Sequence, residues 1–485
     1  MNITDLKPSI VWNYFHQICQ VPRPSKKEEK IIAFLEAFAN EHKLAIKKDA
    51  AGNLLISKPA TPGYEDKETI ILQAHMDMVC EKNNGTIHDF DNDPIQTIVK
   101  GDWLHADGTT LGADNGIGVA AQMAVLASTD IEHGPIECLI TVDEETGLTG
   151  AKAVQPGFMT GNILINLDSE DEGEIFMGCA GGKDTQAIFS YKPQATDAAM
   201  HYVQIEVKGL NGGHSGGEIH KGLGNANKVL GRFLYILDQQ YKWTLCSFNG
   251  GNLRNAIARE AVAVIGIEPS QKEAVRVLLN HFAADVEHEL KVIDPNVTIV
   301  MQSVERPDVA ICDMCKTSLL RAIVAVPHGV VGMSHDVEGL VETSTNLASV
   351  KMTANNTITV GTSQRSSIDS AKTAIVNQVA ATFLLAGAEV THGDGYPGWA
   401  PNPSSAILKV AEETYRKLYN KDAKIMAIHA GLECGLFLEK YPQLDMISFG
   451  PTMRDVHSPN ERILIPTVQL WWDHLLELLK SVPAK

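Results

Sequence analysis

Three short apolar runs of the chain each stop at an acid or a histidine, and this repetition restricts the fold more than any other feature. "TIILQAHMD" (residues 69–77) ends on His75 and Asp77, "CLITVDEETG" (138–147) on Asp143, Glu144 and Glu145, and "NILINLDS" (162–169) on Asp168. Runs of strand length without polar alternation are strands buried on both faces. Helical patterns lie between them. "PSKKEEKIIAFLEAFANEHK" opens with capping-box spacing from Ser25 to Glu28, and "IGVAAQMAVLAS" follows Asp114. Doubly buried strands alternating with helices predict an α/β domain with a mostly parallel sheet. Ligands bind such sheets at the carboxyl ends of the strands, which here carry the acids and His75.

At 485 residues the chain exceeds what one core organises, so a second domain is expected. The rhythm changes near residue 200. "HYVQIEVKG" alternates as a half-exposed strand, then come a helix, a strand pair, the long helix "SQKEAVRVLLNHFAADVEHELKVI" and the strand "VTIVMQSV". That β-α-β-β-α-β order is the ferredoxin-like plan. A weaker second copy follows, with "TSLLRAIVAV" as its first helix and "LVETSTNLASVKMT" and "NTITVGTS" as its strand pair. Beyond the boundary "DGYPGWAPNPSS" the α/β signals return. The reading is an α/β domain of residues 1–186 and 397–485, interrupted by a duplicated α+β lid of residues 187–396.

One histidine amid several carboxylates suits a borderline divalent cation, zinc first, with manganese or cobalt as alternatives. Without a cation such a crowd of negative charge repels itself. A single acid at a strand end is ordinarily a turn or a cap, but several together make a site. His75 and Asp77 point to the same side of a strand, so Asp77 can hold the second imidazole nitrogen. The net charge of −18 argues against nucleic acids and anionic membranes as partners. No apolar run approaches the roughly 18–20 residues of a membrane span, and the N-terminus lacks the pattern of a signal peptide. Eight scattered cysteines, with only Cys312 and Cys315 close together, suit a reducing cytoplasm and two ordinary thiols. "GHSGG" mimics a nucleophile elbow at Ser215, but the helix an elbow needs does not follow it directly.

Together "QAHMDMVCEKNN", "TTLGADNGIG", "TVDEETGLTGA", "LINLDSEDEGEIFMGCAGG", "KGLNGGHSGGEIHKGLGNANK", "HAGLECGLF" and "GPTMRDVHSPNE" resemble the aminoacyl-histidine dipeptidases, also called peptidase D or cytosolic nonspecific dipeptidases, from about residue 8 to the C-terminus. These belong to the clan of two-zinc exopeptidases. The resemblance implies two divalent metal ions per chain. His75 is then a ligand of one metal, Asp114 the carboxylate bridging both, Glu145 and Asp168 ligands on opposite sides, and His457 the last ligand. Asp77 supports the histidine, Glu144 is the general base, and the Asp114–Asn115 peptide is cis. His214 becomes a lid residue stabilising the oxyanion, Asn255 and Arg365 grip the substrate's terminal carboxylate, and Glu433 receives its α-amine. Arg454 and Asp455 depart from the smaller residues expected before His457.

The implied activity is metal-assisted hydrolysis of unblocked dipeptides, Xaa-His among them, by a cytoplasmic enzyme that pairs as a homodimer through the lid. A same-clan aminoacylase or tripeptidase is the rival. A non-catalytic metal-stabilised protein is the remoter alternative, and against it stands Glu144, which metal binding alone does not need.

Overall fold

Strands Ile70–His75 and Ile136–Thr141 are buried at every residue, as apolar runs without alternation require. They lie side by side and parallel, with Ile163–Asn166 and Asp445–Ser448 continuing the parallel set. This foursome is the centre of an eight-stranded sheet. Its order is Ala45–Lys48, Leu54–Lys58, Ile136–Thr141, Ile70–His75, Ile163–Asn166, Asp445–Ser448, Glu174–Cys179 and Lys424–Ile428. The sheet expected to be mostly parallel is parallel across these four central strands, and antiparallel pairing enters on both sides of them, through Leu54–Lys58 and Glu174–Cys179.

The computed structural model describes residues 2–485, which divide into two compact units. The first comprises the chain up to Cys179, Trp399–Ala427 and Leu432–Lys485, and it contains the parallel core. Its helix Ala113–Ala127 is buried nearly all round, as a helix apolar on every face must be. Small residues permit that depth. A Cβ at Gly118 would meet Asn115 Oδ1 at 2.3 Å. Gln122, buried within the helix, donates to the carbonyls of Leu72 at 2.9 Å and Leu139 at 3.2 Å and so ties the helix to two strands.

The second unit comprises Ala180–Gly398 and Ile428–Gly431. Its main sheet runs Thr298–Ser303, His201–Lys208, Ala261–Ile267, Trp243–Gly250, Val341–Thr353, Thr357–Ser366, Gly181–Ser190 and Glu389–His392. The first four strands are one ferredoxin-like copy and the last four a second in reverse spatial order. The two copies meet where Gly250 pairs with Val350. The second copy does not simply follow the first. Its first strand is Gly181–Ser190, which straddles the boundary read at residues 186–187 and precedes the whole of the other copy. Phe233, Phe282, Leu319 and Phe383, from four helices, share one core with Val203, Ile205 and Val360 of the sheet.

The capping box expected from Ser25 to Glu28 does not form. The helix spans Glu29–Glu41 with no side-chain cap, and Ser25 Oγ donates instead to Asp77 Oδ2 at 2.7 Å. Glu28 accepts the backbone N–H of Asp143 at 3.0 Å. A tertiary partner has outbid the local one for both side chains.

Candidate active site

Strand register assembles the site. His75 is the last residue of its strand and lies level with Thr141, while Gln73 lies level with Asn166. Asp77, the 143–145 segment and Asp168 therefore leave the sheet at one edge. After Thr141 the chain turns sharply: Asp143 adopts φ +48, in the left-handed region, and a single helical turn begins at Glu144. That break lets two adjacent glutamates serve one place, because neighbours in a continuing strand point to opposite faces. Asp143 itself is structural, its two carboxylate oxygens accepting the hydroxyls of Thr146 and Thr149.

Asp114 follows the left-handed Gly112 (φ +68), and the Asp114–Asn115 peptide is cis. The two oxygens of its carboxylate face different histidines. Oδ1 lies 3.1 Å from His75 Nε2, and Oδ2 lies 3.1 Å from His457 Nε2. His75 Nε2 is also 3.4 Å from Asp168 Oδ1, and His457 Nε2 is 3.0 Å from Glu145 Oε2. Two three-residue sets result, His75–Asp168 and His457–Glu145, with Asp114 common to both. Ligating atoms of His75, Asp114 and Glu145 lie within 4.8 Å of one another. Behind the first set, His75 Nδ1 faces Asp77 Oδ1 at 3.3 Å.

These donors fit a pair of divalent cations. Glu145 Oε1 is buried without a hydrogen-bond partner among the described residues, and Asp168 Oδ1 has only the 3.4 Å approach of His75 Nε2, a costly state unless something else binds them. The charges agree. Burial would lower the His75 pKa, yet Asp168, Asp114 and Asp77 carry it well above the ordinary imidazole value. Hydrogen bonds to Asp114 and Glu145 push His457 up to about 11. Burial raises Asp168 to about 7, with Asp114 adding to the rise and His75 opposing it. Protons thus gather where positive charge is lacking, and cations would supply that charge instead. Glu144 is raised well above the carboxylate range by burial, with Asp168, Glu433 and Glu145 adding to the rise and His75 opposing it. No hydrogen bond engages its carboxylate among the described residues. A second acidic group, Glu28, Asp77 and Asp143, is bound up in the hydrogen bonds already described.

Residues 71–480 match the sequence pattern of peptidase family M20/M25/M40. The chain belongs to that family. It is 44% identical over 483 residues, 100% of its own length and 99% of the relative's, to the cytosol non-specific dipeptidase of Escherichia coli (strain K12). The crystal structure of aminoacylhistidine dipeptidase from Vibrio alginolyticus superposes with a TM-score of 0.92 at 44% identity, covering 100% of this chain and 99% of that one. A tripeptidase of Staphylococcus aureus, at 19% identity and TM-score 0.57 with 98% of each chain covered, shares the fold. The resemblance read from the motifs is borne out over the full length.

Within this M20/M25/M40 chain several supporting residues escaped sequence reasoning. Asp77 accepts Ser25 Oγ and the backbone N–H groups of Glu144 at 3.1 Å and Glu145 at 3.3 Å. Arg23 is 2% exposed and donates to three backbone carbonyls, those of Met76, Asp77 and Gly112. Glu461, in the quoted "SPNE", is buried against the Leu111–Asp114 backbone. Only tertiary structure reveals these contacts.

Glu433 is fully buried. Gln73 Nε2 and Thr141 Oγ1 donate to its Oε2 at 2.6 and 2.7 Å, while Oε1 finds no partner among the described residues. Burial pushes its pKa up to about 8. Arg454, unexpected before His457, pairs with Asp171 at 2.5 Å, and Asp455 pairs with Arg462, so both departures build the loop framework.

His214, Asn255 and Arg365 belong to the second unit. His214 pairs with Ala256 in a short bridge, and Ser215 N donates to the Asn255 carbonyl at 2.8 Å. His214 and Asn255 line one cavity of about 710 Å³, whose walls do not include Arg365. Arg365 Nη1 donates to Tyr396 Oη at 2.9 Å, and its Nε has no partner among the described residues. Near Arg365, His429 shares a 2.7 Å hydrogen bond with Ser344 and is pushed down to about 3 by burial and the guanidinium. Ser215 Oγ is buried with no hydrogen-bond partner among the described residues, so no general base engages the hydroxyl of the serine-elbow motif.

Proposed function

We propose that this chain is a metal-dependent dipeptidase acting on unblocked dipeptides, Xaa-His among them, with His75, Asp168, Asp114, Glu145 and His457 holding two divalent cations, zinc foremost. The observation that carries this reading is Asp114, whose two oxygens each lie 3.1 Å from a different imidazole. Both 44% identical relatives are named dipeptidases, and one of them an aminoacylhistidine dipeptidase.

Held by His75, Asp168, Asp114, Glu145 and His457, the cations would supply Lewis-acid chemistry, making water a better nucleophile near neutral pH and polarising an amide carbonyl. The chain's own residues do the rest. Glu144 takes the proton of the attacking water and delivers it to the leaving amine, a role suited to its raised pKa and free carboxylate. Asp77 fixes the His75 ring and the start of the Glu144 turn. His214 stabilises the oxyanion, Asn255 and Arg365 bind the terminal carboxylate, and Glu433 takes the α-amine, all as the family resemblance assigns them. Recognition of both charged ends limits the substrate to two residues, since a longer peptide leaves one anchor unmatched. Cytoplasmic residence and a homodimer through the second unit complete the proposal. No helix among the described residues is long and apolar enough to cross a membrane.

The test is hydrolysis by protein stripped with a chelator and reloaded with zinc, cobalt or manganese one at a time. Dipeptides, tripeptides and acylated amino acids serve as substrates. Recovery on dipeptides with at least one metal supports the proposal. Faster turnover of tripeptides or acylated amino acids assigns the site to its rivals, and no recovery with any metal removes the metal reading.

A further inference from the structure

Glu461 stands four residues after His457, yet its carboxylate reaches a segment 347–350 residues earlier in the sequence. It is 2% exposed and accepts four consecutive backbone N–H groups. Leu111 donates at 2.7 Å and Gly112 at 2.9 Å to Oε2, and Ala113 at 2.7 Å and Asp114 at 3.3 Å to Oε1. A helix start leaves such groups without intrahelical partners. Here a carboxylate distant in sequence satisfies those of Ala113 and Asp114, which open the Ala113–Ala127 helix, together with those of the two residues before it.

The same segment is held from its carbonyl side. Arg23 donates through Nη2 to the Gly112 carbonyl and through Nη1 to those of Met76 at 3.1 Å and Asp77 at 3.0 Å. An ordinary cap satisfies one or two N–H groups from the adjoining residue. Glu461 satisfies four, and it does so from the loop that carries His457. That loop has little burial of its own. The His457 side chain is 52% exposed, and its backbone sits at φ +62.

We infer that Glu461 is a positioning residue: it locks the His457 loop to the Asp114 segment and so sets the affinity of the metal position formed by Asp114, Glu145 and His457. The His75–Asp168 position, built on strands of the parallel sheet, does not depend on this lock to the same degree. The inference rests on the proposed metal reading, and its test separates the two.

Glu461→Gln, Glu461→Asp and His457→Ala are compared with the full-length wild type by equilibrium dialysis against zinc, with ions per chain counted by elemental analysis. Cobalt absorption spectra and near-ultraviolet circular dichroism accompany the titrations. Expected for Glu461→Gln are a native dichroism spectrum, one ion bound as in wild type and the other 10–100-fold weaker. Excess zinc then restores kcat with KM unchanged, because Glu461 does not touch substrate. Glu461→Asp recovers part of the lost affinity. Wild-type affinity for both ions in Glu461→Gln, while His457→Ala loses one, overturns the inference and leaves the metal reading standing. Equal weakening of both ions with loss of the native dichroism in both Glu461 variants overturns it as well, making the residue merely structural. If His457→Ala keeps both ions, the metal reading itself falls, and the inference with it.

Discussion

Asp77 accepts the backbone N–H of Glu144 at 3.1 Å, so the acid that faces His75 also holds the turn on which Glu144 and Glu145 are mounted. Ser25 completes the arrangement from a third segment. Replacing Asp77 by Asn puts an amide NH₂ where one of these donors must be accepted. The expected result for Asp77→Asn is a loss of about 10–100-fold in metal affinity or turnover, as for other groups that orient ligands. Zinc titration with parallel rate measurements checks this, and unchanged values for both refute the hub.

Glu144 and Glu145 divide the labour. Glu145 Oε2 lies 3.0 Å from His457 Nε2, whereas no hydrogen bond among the described residues engages the Glu144 carboxylate. Glu144→Gln should keep both metals and lose roughly 10²–10⁴-fold in kcat. Glu145→Ala should lose metal before anything else. Elemental analysis of the two purified variants decides, and equal loading of both would show the roles misassigned.

Gly112 sits at φ +68, where a Cβ would lie 2.4 Å from Arg23 Nη2 and 2.8 Å from Met78 Sδ. Gly112→Ala is strained both in its backbone conformation and in its contacts, so a loss of about 1–3 kcal/mol is expected. Because Asp114 is two residues away, metal affinity should fall with stability. Chemical denaturation with and without zinc measures both, and a neutral Gly112→Ala would mean that the Arg23 contact is soft.

Acid should destabilise the fold through a histidine remote from the cluster. His474 is 2% exposed, hydrogen-bonded to Thr414 at 3.2 Å and to the Ala411 carbonyl at 3.0 Å, and burial pushes it down to about 4. Its folded pKa lies below the unfolded value of about 6.5, so the unfolded chain binds more protons between those values. Its contribution, on the order of 3 kcal/mol, is complete above about pH 6.5 and is lost as pH falls toward 4. His474→Gln should flatten that part of the stability–pH curve, and an unchanged slope in urea denaturation across pH 4–6.5 would contradict it.

How much was legible in the sequence follows from where the information resides. His75, Asp77, Glu144, Glu145 and Asp168 could be read because each closes or follows a strand whose burial is written in its apolar run. Register then brings them together. Ser25 misleads because a helix cap is a local pattern, while its actual partner, Asp77, is fixed by tertiary packing. Arg23 and Glu461 have no local signature, since their partners are backbone groups that any residue supplies. The first strand of the second ferredoxin-like copy is not legible because a contiguous duplication sets its halves one after the other, and here one is nested inside the other.

That nesting bears on how the chain is made. Strand Gly181–Ser190 emerges from the ribosome long before its neighbour Thr357–Ser366, and Ile163–Asn166 long before Asp445–Ser448. At about 5–20 residues per second, Ser190 waits roughly 8–30 seconds for Thr357. Throughout that interval the nascent protein carries two incomplete sheets with apolar edges open to neighbouring chains. A premature stop anywhere before Asp445 leaves the parallel core without its fourth strand and the cluster without His457, so truncated products of this gene are candidates for aggregation and proteolysis rather than for partial activity.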